Sequence, residues 1–183
     1  MEGGQSGEDD GCDEAVMMWA LRGAFCVVAL VAALAGVPGH AEDGLTLVFK
    51  GESYHFAPEM DGARTGFTRF AALEAVSLEG ARPDGPERLV LQVSLAPGEG
   101  ADVAPLDGRI MFRPDGWRDY WVSAAVFPGD AILIEELELS GPEAWIAGGF
   151  DLELCPVASP LHPPDTSGCE QAIGEFRTRL MRD

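Results

Sequence analysis

Positive charge, histidine and long apolar runs are all scarce in this 183-residue chain. Its 12 Lys and Arg residues stand against 31 Asp and Glu, for a net charge of −19 at pH 7. Such a balance disfavours nucleic acid and anionic lipid surfaces as partners, because both repel an acidic protein before any contact forms. Of the three histidines only His55 and His162 lie beyond residue 41, so ordinary general bases are few. No G-x-S-x-G, H-E-x-x-H or P-loop pattern occurs. Hydrolysis by a serine elbow or a zinc helix, and phosphate cradling, therefore lack their local signatures, and no cofactor is implied. The longest apolar run, Gly23 to Val37, is short for a bilayer span and argues against a permanent anchor.

That run has a different meaning in its context. Arg22 precedes it, and Pro38-Gly39-His40-Ala41 follows it with small residues at Gly39 and Ala41. A positive n-region, a short apolar h-region and small residues at the exit make residues 17–41 a secretory signal peptide. Residues 1–16 are acidic and Gly-rich, the wrong charge for an n-region, which points to translation starting at Met17 or Met18. Cys26 lies inside the apolar run rather than just after it, so the expected product is soluble and not a lipoprotein. Removing residues 1–41 takes away six acids and Arg22 and leaves 25 acids and 11 bases, a net charge of −14. The remaining residues 42–183 have the length of one domain able to bury a sizeable core.

Only Cys155 and Cys169 survive that cleavage, an even pair suited to an oxidising compartment. Placing them opposite each other tests a hairpin, because facing residues in an antiparallel pair have numbers of constant sum, here 324. Even positions then share one face, with Phe150, Leu152 and Leu154 from one strand and Ala172, Gly174, Phe176 and Leu180 from the other. Asp151, Glu153, Gln171, Glu175, Arg177 and Arg179 fall on the opposite face. The segregation is what a half-buried sheet needs, with Trp145 and Ile173 breaking the odd face and Glu170 and Thr178 the even one. Four prolines between Pro156 and Gly168 make that stretch a loop. A disulfide closing it would add about 3 kcal/mol, mainly by restricting the unfolded chain. Zinc is a poor alternative, since His162 is the one further soft ligand nearby.

Upstream, Leu45–Phe49 and Ser53–Phe56 read as short strands around a Gly turn. Phe67 to Leu78 fits either period: Phe70, Ala72, Val76 and Leu78 share a strand face, whereas Phe67, Phe70 and Leu73 share a helical one. Strand-like neighbours tip Leu73–Leu78 toward strand. Arg82-Pro83-Asp84-Gly85-Pro86 is a turn, and Leu89–Leu95 is a strand with its odd positions inward. A loop over Pro97–Pro105 leads to a short strand at Arg109–Phe112. Tyr120–Phe127, apolar on both faces, reads as a central strand, and Pro128-Gly129-Asp130 turns it into Ile132–Leu139. There the alternation slips at Glu135-Glu136, which predicts a bulge or an exposed stretch of strand. Eight or nine short strands without a clear helix predict an all-β fold, an antiparallel β-sandwich.

Candidate chemistry concentrates at Asp115 to Trp121, where Trp117, Tyr120 and Trp121 follow a Pro-Asp-Gly turn beside Asp115 and Asp119. Aromatics at a loop–strand junction can stack on a sugar or a partner; they can equally plug the end of the core. Asp115, Asp119 and Asp130 near turns, and Glu135, Glu136 and Glu138, supply oxygen for calcium but match no calcium-loop spacing. Solvated carboxylates on an acidic surface are the plainer reading. His55 alternates with Tyr54 and Phe56, as a strand-surface histidine would; a hydrolase built on it needs a pocket and a carboxylate partner. The sequence thus predicts an exported, periplasmic or secreted, non-catalytic protein that binds another protein or an envelope component. A carbohydrate- or calcium-binding module is the alternative, and a His55 hydrolase stands behind both.

Overall fold

The computed structural model describes residues 43–61, 64–70, 72–101, 103–116, 118–124, 131–159 and 162–182. The acidic stretch 1–16, the expected signal peptide of residues 17–41, Cys12, Cys26, Trp117 and the turn expected at Pro128-Gly129-Asp130 lie outside these residues. Ten strands follow one another: β1 (Gly44–Phe49), β2 (Glu52–Pro58), β3 (Gly66–Phe70), β4 (Leu73–Ala81), β5 (Arg88–Leu95), β6 (Pro105–Arg113), β7 (Tyr120–Ser123), β8 (Ile132–Glu138), β9 (Ala144–Val157) and β10 (Glu170–Arg182). All belong to one mostly antiparallel sheet. Among the described residues no helix is long and apolar enough to cross a membrane.

The pairing closes on itself. β10 lies between β9 and β1, β1 pairs with β2, and β2 reaches β4 at Ala57–Ala81 and Pro58–Gly80. From β4 the ladder runs through β5, β6 and β7 back to β9. β3 is held between β4 and the last residues of β10, where Met181 and Arg182 run parallel to Gly66 and Phe67. β8 covers the N-terminal half of β9. A ring of this kind shields most strand edges, which otherwise template aggregation.

The β9–β10 hairpin is its longest ladder. Every pair from Leu154–Glu170 to Ala144–Leu180 has the sum 324 that the two cysteines demand, and Cys155 and Cys169 are bonded with Cα atoms 4.0 Å apart. The even face is buried from Ala144 to Leu154 and from Ala172 to Leu180, including Thr178, while Glu170 at its end and Ile173 on the odd face are exposed. Alternation continues around the ring: Leu45, Leu47 and Phe49 of β1, Leu89 to Leu95 of β5, and Ile110 and Phe112 of β6 all point into the common core.

Several sequence expectations need adjusting. The strand expected over Leu73–Leu78 is present within β4, but Phe67–Phe70 belongs to a separate strand, β3, whose Phe70 pairs with Leu73. That split brings the count to ten. β6 begins at Pro105 rather than Arg109, because Leu95 and Ser94 pair with Pro105 and Asp107 across a register shift. β9 also runs past Cys155 into the Pro-rich stretch. There it leaves β10 but keeps β7 on its other edge, and Pro156 pairs with Trp121 while its carbonyl accepts the Asp165 N–H at 2.9 Å. The missing proline N–H is not needed at that strand end. The bulge falls where the alternation slips: β8 shifts register between Ile134 and Glu136.

Two devices let the ring close tightly. Across β9 and β10, Gly148 faces Phe176 and Gly174 faces Phe150, so each ring lies over a glycine. A Cβ at Gly174 would strike the Phe150 ring and the Thr46 carbonyl; at Gly148 it would strike the Leu133 carbonyl and the Phe176 ring. Pairing an aromatic with a glycine fills the space the glycine vacates and permits sharp coiling. The second device is a threonine hydroxyl, which can donate and accept at once. The β1–β10 register stops after Leu45–Phe176 and resumes at Val48–Ile173. Within that gap Thr46 Oγ1 accepts the Glu175 N–H at 3.1 Å and donates to the Glu175 carbonyl at 3.4 Å. Thr65, fully buried where β4 changes partner from β3 to β2, does the same with Glu79 at 3.2 and 3.1 Å. These hydroxyls complete a ladder that backbone alone leaves open.

Gly174→Ala should therefore lower stability by about 1–3 kcal/mol through overpacking, and Thr65→Val by about 1–3 kcal/mol by leaving the Glu79 N–H unmatched. Urea unfolding midpoints test both; variants as stable as the wild type would contradict these roles.

Candidate functional site

The aromatic end of the core is assembled by register. Phe112 of β6 pairs with Trp121 of β7, which pairs in turn with Pro156 of β9. Phe49 of β1 joins them, its ring 5.6 Å from the Phe112 ring and 5.0 Å from Trp121, both edge-to-face. Tyr54 of β2 stands 5.0 Å from Phe112. Edge-to-face contacts of this type add about 0.5–1.5 kcal/mol each beyond area burial. Trp121 is half-buried and packs against the core, so it plugs this end as well as reaching its surface.

A hollow of 410 Å³ opens here, with Lys50, Asp119, Tyr120 and Trp121 on its rim. The expected site residues divide accordingly. Asp119, Tyr120 and Trp121 are brought together, whereas Asp115 is exposed on the Pro114–Gly116 turn and is not among the lining residues; Trp117 lies outside the described residues.

Lys50 was not evident as part of this site. It is the only lysine of the chain and sits at the tip of the two-residue β1–β2 turn with φ of 53°, followed by Gly51 at 79°. Two positive φ values in succession are what a tight hairpin of the primed type requires. The turn carries the ammonium over the Trp121 face, 3.9 Å from the ring centroid. Cation–π attraction at such a half-exposed place is worth about 0.5–1 kcal/mol. The tryptophan face is therefore covered, and a sugar or partner stacking on it must first displace the lysine. Composition was the available signal: a single lysine beside a turn glycine, upstream of the aromatic cluster.

Electrostatics at this end are local. Tyr54 Oη donates to Glu52 Oε2 at 2.6 Å. Partial burial, then that hydrogen bond and the negative charges of Glu52 and Glu87, push the Tyr54 phenol up to about 12. Elsewhere Asp165 accepts from the Ser167 hydroxyl and N–H at 2.6 and 3.0 Å, which holds its carboxyl below the usual range and orders the loop inside the disulfide.

The remaining candidates are scattered. His55 is exposed on the outer face of β2 opposite Thr46, on the rim of a broad depression that also includes Glu135 and Glu175. His162 is exposed in the disulfide loop. Glu136 pairs with Arg177 at 3.2 Å, and Glu138 is exposed at the end of β8. Among the described residues no group of three or more His, Cys, Asp or Glu is placed to hold a metal ion. Comparison with protein-family models, curated proteins and solved structures finds no match for the chain.

Tyr54 yields a pH test with a definite sign. Its pKa is higher folded than the ordinary value of 10.0, so unfolding releases its proton more readily above that value. The contribution of Tyr54 is intact below pH 10.0 and is lost as pH rises toward about 12. Denaturation midpoints between those limits should fall less steeply for Tyr54→Phe than for the wild type; equal slopes would contradict the partly buried, Glu52-bonded phenol.

Proposed function

We propose that this chain is an exported, non-catalytic β-protein that binds another protein or an envelope component through the hollow at Trp121. The Cys155–Cys169 disulfide carries the export part of this reading, because such bonds persist chiefly in oxidising compartments. The signal-peptide pattern of residues 17–41 supports the same direction. Residues 42–183 then form the working protein, in the periplasm or outside the cell.

A two-layered β-sandwich, the ring flattened so that opposite strands touch, belongs to the same proposal. Its support is the contact of Phe112 on β6 with Phe49 on β1 and Phe56 on β2, strands that lie apart along the ring. The binding role rests on the half-buried Tyr120 and Trp121 beside a hollow with one removable lid, Lys50. A carbohydrate ligand is the second reading, favoured by the same two aromatics; a rise in melting temperature with calcium would instead favour a cation-binding module.

An intact-mass spectrum of the protein from its host, taken with and without reductant, tests export directly. The expected species is residues 42–183, two hydrogens lighter before reduction than after. A full-length species with free thiols would overturn the reading. For binding, Trp121→Ala should abolish retention on the isolated partner or envelope fraction, while Lys50→Asn, which keeps a turn-compatible residue, should strengthen stacking.

A further inference from the structure

We propose that Arg64, Arg88 and Arg113 form a binding site for a tetrahedral oxyanion, a phosphate or sulfate group carried by a soluble ligand. Arg88 of β5 and Arg113 of β6 are direct partners across the ladder. Like charges in that position repel and destabilise a sheet unless something compensates them. Carboxylates supply compensation here. Arg113 donates to Glu79 at 3.2 Å, and Arg88 donates to Glu59 at 2.7 Å. Glu59 is also bound by Arg64, so its two carboxylate oxygens are divided between two guanidinium groups.

These residues enclose a hollow of 320 Å³ whose lining is Arg64, Glu79, Arg88 and Arg113. Among the described residues three positive groups and one negative group line this space, with Glu59 bonded to both Arg64 and Arg88 beside it, in a chain whose net charge is −19. The exposure of the arginine side chains is graded: 9% for Arg113, 34% for Arg88 and 49% for Arg64. A buried guanidinium at the base and two more exposed ones at the mouth suit an anion that enters from solvent. Each guanidinium carries five N–H donors in a planar fork that matches the spacing of phosphate and sulfate oxygens.

The backbone beneath the site is fixed. Glu79 receives the Glu59 N–H at its carbonyl at 2.8 Å and is bonded to Thr65 Oγ1 on both its N–H and its C=O. The connection that bears Glu59 and Arg64 is thereby tied to β4, so their charged groups are preorganised. The overall negative charge opposes approach to an anionic membrane, which favours a soluble oxyanion over a lipid headgroup.

Thermal unfolding of the intact protein should be followed in inorganic phosphate and in sulfate, at ionic strength matched with sodium chloride. A saturable rise of about 3 °C is expected with either oxyanion and not with chloride. Arg64→Gln, a change at an exposed position, should weaken phosphate binding about tenfold, and Arg88→Gln should do so with it. No rise beyond that in chloride, or unchanged binding by both variants, would overturn the site. Association with vesicles bearing a phosphomonoester lipid, without response to inorganic phosphate or sulfate, would overturn the soluble-ligand assignment.

Discussion

The antiparallel register of β9 and β10 is the constraint on which the other strands depend. Eleven successive pairs with one sum fix which face of each strand is buried, and the disulfide closes the end at which the strands part. β10 then offers its far edge to β1, while β9 divides its far edge between β8 and β7. A slip of one residue would turn Phe150, Leu154 and Phe176 outward and bring Asp151, Glu153 and Glu175 to the core. Neither adjoining ladder could then form with its apolar side chains inward. The disulfide acts on the unfolded chain, but in the folded one it marks the register from which the ring is built.

Closure imposes costs that particular residues meet. Coiling two long strands around a small core brings backbone and ring into the same space, and Gly148 and Gly174 provide it. Ladders that cannot stay continuous around the ring are completed by Thr46 and Thr65. The binding features arise from the same geometry. The β1–β2 turn that lets the ring proceed also lays Lys50 over Trp121, and the β5–β6 pairing that carries the core residues also places Arg88 beside Arg113.

Much of this was legible in the residues. The sum rule for β9 and β10, the inward row Leu89 to Leu95 and the slip at Glu135 all follow from side-chain alternation, which depends on local sequence alone. Boundaries were less legible. The sequence between Phe70 and Leu73 holds only two alanines and no strong turn residue, so two strands merged into one ambiguous segment. Pro156 resembled loop because proline is excluded from central ladders, yet it enters β9 where its carbonyl alone is used. The partners of the candidate sites were hidden for a different reason. That Trp121 has Lys50 on its face, or that Arg113 lies opposite Arg88, depends on long-range register, and no spacing along the chain announces it. The aromatic cluster could be found by composition, whereas its lid and the arginine hollow required the pairing.

Residue-resolved native-state hydrogen exchange tests the central role of β9 and β10 most directly. If their register anchors the ring, their hydrogen-bonded amides should exchange only through global unfolding and outlast those of β2, β3 and β8. Protection concentrated instead in β4 and β5, with β9 and β10 opening first, would contradict it.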